Sequence, residues 1–160
     1  MIISAIKSKD VSDKRSVLHP ETIKNLISKG IEIIFESGIG DGIHVGDQTF
    51  IDLGAKPVSR ESCFSDAEII LTPSPIDDHE VKLIGGGKTL MGMVSPFENQ
   101  ELLKNLCDSN INLVSMEFVP RITRAQKMDV LSSQANLAGY VAVIESSSLL
   151  SSAMPMMMTA

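Results

Sequence analysis

A chain of 160 residues, 43% apolar and 21% charged, has the composition of one ordinary globular domain. Fourteen basic against twenty acidic residues leave a formal charge of −6, with no concentrated basic patch of the kind that a nucleic-acid binder requires. Cys63 and Cys107 lie far apart with no CxxC spacing, which argues against a disulfide scaffold or zinc site, and no apolar run reaches the ~18 residues of a membrane span.

The chain opens on a short apolar run, Ile2 to Ile6, which reads as a strand and is too short for a signal-peptide core. A charged loop from Lys7 to Arg15 follows. Pro20 and Glu21 then open a helix that stops at Gly30, since proline fits a first helical turn and glycine a C-terminal cap. Ile31 to Glu36 is the next strand, leading into the glycine loop Ser37 to Gly42. A short helix from Asp47 to Leu53 closes at Gly54. Ala67 to Leu71 reads as a buried strand cut off by Pro73 and Pro75. A helix over Asp77 to Ile84 stops at Gly85-Gly86-Gly87, and Lys88 to Val94, Glu98 to Cys107 and Ile111 to Glu117 continue as strand, helix and strand. The last element is a long helix from Arg124 or Gln126 to about Leu150. Alternating strands and helices predict an α/β fold, doubly wound, with a mostly parallel sheet covered on both faces and a long C-terminal linking helix. The expected division is a Rossmann-like domain over 1–123 and a helix and linker over 124–160.

That helix carries small residues on one side (Ser132, Ser133, Ala135, Ala138, Gly139, Ala142), which allow another helix or chain to approach closely. The sequence ends on the apolar run Met156-Met157-Met158-Thr159-Ala160, so a longer natural polypeptide is expected.

Most candidate chemistry has a plain structural reading. Gly38, Gly40 and Gly42 follow a strand, as a phosphate-cradling turn does, but the third glycine of the dinucleotide fingerprint belongs at position 43, where Ile43 stands. An ordinary glycine turn is expected. His19, His44 and His79 lack partners at metal-ligand spacing, so no metal is expected; both cysteines read as small buried hydrophobes. One segment stands out. Pro120 to Ser133 places Arg121, Arg124, Gln126, Asp129 and Ser132 or Ser133 at the start of the last helix, after a strand's C-terminal end, where ligands bind in open α/β sheets. In a helix starting near Arg124, Gln126, Asp129 and Ser132 share one face and can hydrogen-bond a neutral polar group such as a carboxamide. The other reading is a surface helix start in which Asp129 pairs with Arg124 or Arg121.

The run Val119-Pro120-Arg121-Ile122-Thr123-Arg124-Ala125-Gln126, with Met128-Asp129-Val130-Leu131-Ser132-Ser133-Gln134-Ala135-Asn136-Leu137-Ala138-Gly139-Tyr140, closely resembles the α subunit of proton-translocating NAD(P) transhydrogenases. Lys14-Arg15, Pro20-Glu21-Thr22, Glu36 to Gly40, Gly54-Ala55-Lys56 and the tail Met154 to Ala160 are similar to the same family, so the resemblance spans nearly the whole chain. The related alanine dehydrogenases share the N-terminal domain. Their substrate arginine is matched by Arg15, but the lysine expected in Ile70 to Pro73 and the histidine expected near Met93 to Pro96 are absent. Without them amino-acid oxidation is disfavoured, whereas hydride transfer between nicotinamides needs only positioning and water exclusion.

The resemblance implies a role in binding NAD(H), with NADP(H) on a partner subunit. Arg121 and Ser132 would hold the nicotinamide carboxamide, Asp129 would fix Arg121 or the ribose, and Gln126 would reach toward the partner's nicotinamide. Arg124 would stand behind them, and none would be an acid, base or nucleophile. The partners implied are NADP-binding and membrane-spanning subunits, a second copy in a homodimer and no nucleic acid. The implied location is cytoplasmic, at the inner face of a membrane, or an organelle matrix. The family's second, Rossmann-type NAD domain has no counterpart within the 160 residues. A non-catalytic docking module or a decayed fragment is the alternative.

Overall fold

The computed structural model describes residues 1–152. The Met-rich tail read from the sequence lies outside that span. Six parallel strands form one sheet: β1 (Ile2–Ala5), β2 (Glu32–Glu36), β3 (Lys56–Val58), β4 (Ile69–Thr72), β5 (Thr89–Gly92) and β6 (Asn112–Ser115), in the order β3-β2-β1-β4-β5-β6. The helices between them are α1 (Pro20–Ile27), α2 (Asp47–Asp52), α3 (Arg60–Ser65), α4 (Asp78–Ile84) and α5 (Gln100–Asp108), and α6 (Val130–Leu149) follows. The winding runs outward from β1 to β3, returns through α3 to β4, and continues to β6. The order therefore reverses between β1 and β4.

Side-chain alternation along each strand builds two cores. On one face Ile3, Ala5, Ile33 and Phe35 pack with Leu18, Ile23 of α1 and Phe50 of α2. The Phe35 and Phe50 rings meet edge to face at 5.4 Å, a geometry that adds roughly 1 kcal/mol beyond area burial. On the other face Ile34, Ile70 and Leu90 pack with Cys63 and Phe64 of α3, Val81 and Ile84 of α4, and Leu102 and Leu106 of α5. A parallel sheet buried in this way needs apolar residues on both faces of its strands, which is why β1, β2 and β4 read as near-continuous apolar runs.

The helix starts have local causes. Pro20 occupies the first turn of α1. Asp77 and Glu80 form a reciprocal capping box on α4, each carboxylate accepting the other's backbone N–H at 2.9 Å. Three elements differ from the sequence reading. β3 and α3 occupy a stretch in which no element is expected, and the last helix starts later than expected. Thr123–Met128 is a 3-10 turn, Asp129 is a cap, and the α-helix begins at Val130.

By compactness the chain divides into Met1–Phe118, which holds the sheet, and Val119–Ala160, which holds the 3-10 turn and α6. None of the α6 residues is buried. Among the described residues no helix is long and apolar enough to cross a membrane.

Candidate functional site

Arg121, Gln126, Asp129 and Ser132 line one shallow hollow of about 270 Å³, together with Ile122 and Thr123. Arg124, also expected there, is exposed and is not part of its lining. The 3-10 turn, rather than a continuous α-helix, sets this arrangement. It follows Arg121 and carries Gln126 around the corner that ends at Asp129, where the backbone turns into α6.

Asp129 is engaged by Ser132. One carboxylate oxygen accepts the Ser132 backbone N–H at 2.9 Å, and the other accepts the Ser132 hydroxyl at 2.5 Å. These bonds, the hydroxyl's first, hold the Asp129 carboxyl below its ordinary value, and the nearby Arg121 charge acts in the same direction. The ion pair of the alternative surface reading, with Arg121 or Arg124, does not form: among the described residues the only side-chain hydrogen bonds of Asp129 are those to Ser132. Ser132 thus donates its proton inward, and the lone pairs of its Oγ remain free to accept. The hollow presents a guanidinium, an amide, an acceptor hydroxyl and a carboxylate held ionised. That set suits a neutral carboxamide, which offers both an acceptor and donors. Its volume of about 270 Å³ matches a group the size of one ring bearing such a carboxamide. Ile122 and Thr123 were not singled out from the sequence. Their only signal was their position between the two arginines.

The glycine loop holds no anion site. The Gly38 backbone N–H donates to both carboxylate oxygens of Asp47, at 2.9 and 3.0 Å. A Cβ at Gly40 would strike the Val45 carbonyl, and one at Gly42 the Lys14 carbonyl. The glycines are required by the loop's close packing on itself. The three histidines are dispersed: His19 precedes α1, His44 ends a 3-10 turn at φ 59°, and His79 lies within α4.

Arg15 donates to both oxygens of Asp13, at 2.8 and 2.7 Å, and to the Pro73 carbonyl at 3.2 Å. It therefore ties its loop to the exit of β4, and no lysine or histidine stands in Ile70 to Pro73 or Met93 to Pro96. A second polar cluster escaped the sequence reading. Arg60 at the start of α3 bonds Glu36 at the end of β2 and Glu80 of α4, both at 2.7 Å, and Lys9 reaches Glu80 at 2.9 Å. Lys9 also pairs with Asp77, so both cations of the cluster are engaged by its carboxylates, and it fastens three elements together.

Residues 6–138 match a protein-family model described as the alanine dehydrogenase/PNT N-terminal domain. An alpha-subunit polypeptide of the NAD(P) transhydrogenase of Rickettsia prowazekii is 41% identical over 165 residues, covering the whole of this chain and 43% of that protein. A solved structure of a transhydrogenase from Sinorhizobium meliloti superposes with a TM-score of 0.89 at 36% identity, over 100% of this chain and 48% of that one. An L-alanine dehydrogenase structure shares the fold at TM-score 0.71 and 21% identity, over 78% of this chain and 34% of that one. The chain spans less than half the length of these relatives.

Proposed function

The chain belongs to the alanine dehydrogenase/PNT N-terminal domain family, and from that premise we propose that it is the leading part of the NAD(H)-binding component of a transhydrogenase. In this reading it holds the nicotinamide of NAD(H) for hydride exchange with NADP(H) on a partner subunit. Membrane-spanning partners couple the exchange to proton movement, and the NAD(H)-binding component works as a homodimer at the cytoplasmic or matrix face of the membrane.

The observation that supports it is the hollow shared by Arg121, Gln126, Asp129 and Ser132. Arg121 donates to the carboxamide oxygen, and the Ser132 Oγ, its own proton already given to Asp129, accepts from the carboxamide N–H. Asp129 fixes the Ser132 rotamer and keeps a negative charge beside Arg121. Gln126, exposed at the rim, is free to turn toward the second nicotinamide. NAD(H) supplies the chemistry, a hydride leaving or joining C4 of its ring, and no proton is required of these side chains. Their contribution is orientation, and a misplacement of 1 Å can cost about a hundredfold in rate. The diphosphate needs a site elsewhere, because the Gly38 to Gly42 loop is closed by Asp47. Amino-acid oxidation is the weaker reading, because Arg15 is engaged by Asp13 and Pro73 and no lysine or histidine stands in Ile70 to Pro73 or Met93 to Pro96.

In a complex reconstituted with its NADP(H)-binding and membrane partners, Arg121→Ala lowers hydride transfer at least about tenfold and changes NAD(H) affinity less. Unchanged turnover would remove this site. A second reading, a non-catalytic docking module, is favoured by α6, on which Leu137, Tyr140, Val143 and Ile144 are all exposed. It requires that Gly139→Trp abolish assembly while Arg121→Ala leaves every activity unchanged.

A further inference from the structure

The turn from Thr123 to Met128 is a 3-10 helix, and that winding sorts its six side chains into three rows. At three residues per turn and ~2 Å of rise, residues three apart stand one above the other about 6 Å apart. Thr123 and Gln126 form the row that lines the hollow. Ala125, which is buried, and Met128 form the second. Arg124 and Lys127 form the third, and both are exposed. Among the described residues neither of them enters an ion pair. Asp129, the one carboxylate between Val119 and Ile144, is taken up by Ser132. That stretch holds three cations against one carboxylate, in a chain whose formal charge is −6. Arg124 and Lys127 stand beside the hollow without lining it, so they form a ridge, which suits contact with a surface and not the enclosure of a small ligand.

We propose that Arg124 and Lys127 receive carboxylates on the surface of the NADP(H)-binding partner and steer that partner onto the hollow. This rests on the function proposed above, in which the second nicotinamide arrives past Gln126. Gln126 and the two cations occupy neighbouring rows of one turn, so the body that delivers the second ring comes to lie against the ridge. Exposed charges at the rim of an interface act mainly on the encounter rate and its salt dependence, and only weakly on the closed complex. Carboxylates are the expected counter-charge rather than dinucleotide phosphates, because a phosphate site draws on backbone N–H groups. Here the Ala125 N–H donates to the Ile122 carbonyl at 2.9 Å and the Asp129 N–H to the Gln126 carbonyl at 3.4 Å, so both are committed within the turn.

The test mixes the NAD(H)-binding component that contains this chain with a dye-labelled NADP(H)-binding component and follows association by stopped flow. At about 0.01 M salt, where charges act over ~30 Å, Arg124→Gln combined with Lys127→Gln is expected to slow association at least about tenfold and to change dissociation less. At about 1 M salt the variant and the parent should associate alike. Arg124→Lys, which keeps the charge, should associate as the parent does. Arg124→Glu with Lys127→Glu should slow association further, and lysine in place of a contacting carboxylate of the partner should recover the rate. Both side chains are exposed, so melting should stay the same in every variant. The proposal fails if the neutral variant associates as the parent does at low salt, or if its deficit persists undiminished at high salt. It also fails if the deficit appears only when NADP(H) occupies the partner, which would make a phosphate the counter-charge. Association is read without turnover, so failure of the hollow shows separately, as unchanged hydride transfer in Arg121→Ala. A parent component that does not associate at all overturns both.

Discussion

Asp129 holds Ser132 twice, by its backbone N–H at 2.9 Å and by its hydroxyl at 2.5 Å, and the pair marks the point where the 3-10 turn becomes α6. A carboxylate at this position satisfies an otherwise orphaned N–H of the first turn and sits at the positive end of the helix. The same two bonds set the proton on Ser132 that the proposed carboxamide contact depends on.

Asp129→Ala therefore frays the first turn of α6. The Ser132 amide is expected to exchange roughly fivefold faster, about what the loss of one cap implies, while amides of the sheet keep their protection. Asp129→Asn retains an acceptor and restores most of that protection. The folded-state value of the Asp129 carboxyl is lowered, so its contribution is complete above the ordinary carboxylate range and is lost as pH falls through the lower, folded value. The protection factor at Ser132, the exchange rate relative to that of an unstructured amide at the same pH, should hold from neutral pH downward and fall only at the acid end. A protection factor that does not change with pH would show that the carboxylate is not the cap.

Arg60 joins Glu36 and Glu80, and the Glu80 side chain is only 4% exposed. Removing one member of a buried charge set costs more than the set contributes, because the remaining charges stay buried. Arg60→Ala is expected to lower unfolding stability by about 3 kcal/mol in urea titrations. A triple replacement, Arg60→Met with Glu36→Gln and Glu80→Gln, removes the three buried charges, leaves the half-exposed Lys9 to Asp77, and is expected to recover most of the loss. An Arg60→Ala variant as stable as the parent would mean that Lys9 alone supports Glu80.

Glu117 closes the far end of the sheet in a similar way. Its carboxylate accepts the backbone N–H groups of Val94 and Ser95 at 2.8 and 2.7 Å and the Ser115 hydroxyl at 2.6 Å. Burial alone would raise this carboxyl. The Ser115 hydroxyl and the backbone donors outweigh it and hold the group below its ordinary value. Its stabilisation is therefore present at neutral pH and fades as pH falls through the lowered value. Glu117→Ala leaves two loop N–H groups unpaired beside Ser95, whose φ of 47° is already costly for a residue with a Cβ, and should lower the melting temperature by several degrees. Glu117→Gln, which keeps an acceptor oxygen, should lose less.

The sequence made the central strands plain and the edge obscure, for physical reasons. β1, β2 and β4 are buried between helix layers, so they must be apolar almost throughout. β3 is a three-residue edge strand with an exposed lysine and proline, and α3 is a six-residue helix whose buried face is little more than Cys63 and Phe64. Neither is long enough to show a period. The start of the last helix was misread because Thr123 to Met128 contains good helix formers, and a tight turn uses the same residues. The Asp129-x-x-Ser132 spacing was the available signal for the true start. Arg60 was invisible as a fastening because its partners lie 24 and 20 residues away in the chain. The residues of the candidate hollow were legible because they are close in sequence, and their grouping depends on local turns.

The sequence alone grouped the two cysteines as small buried hydrophobes, and the structure separates them. Cys63 is enclosed beneath the sheet among Phe64, Ile34 and Ile70, and burial pushes its thiol up to about 12. Cys107 is exposed on α5, beside an apolar groove at β6. Because the thiolate is the reactive form, Cys63 is inert in the folded protein at neutral pH. A thiol-specific reagent is expected to label Cys107 at once and Cys63 only as fast as the chain unfolds, so two labels per chain should appear only in denaturant. Fast labelling of both thiols in the native protein would mean that the core around Cys63 opens without global unfolding, contrary to its packing between α3 and the sheet.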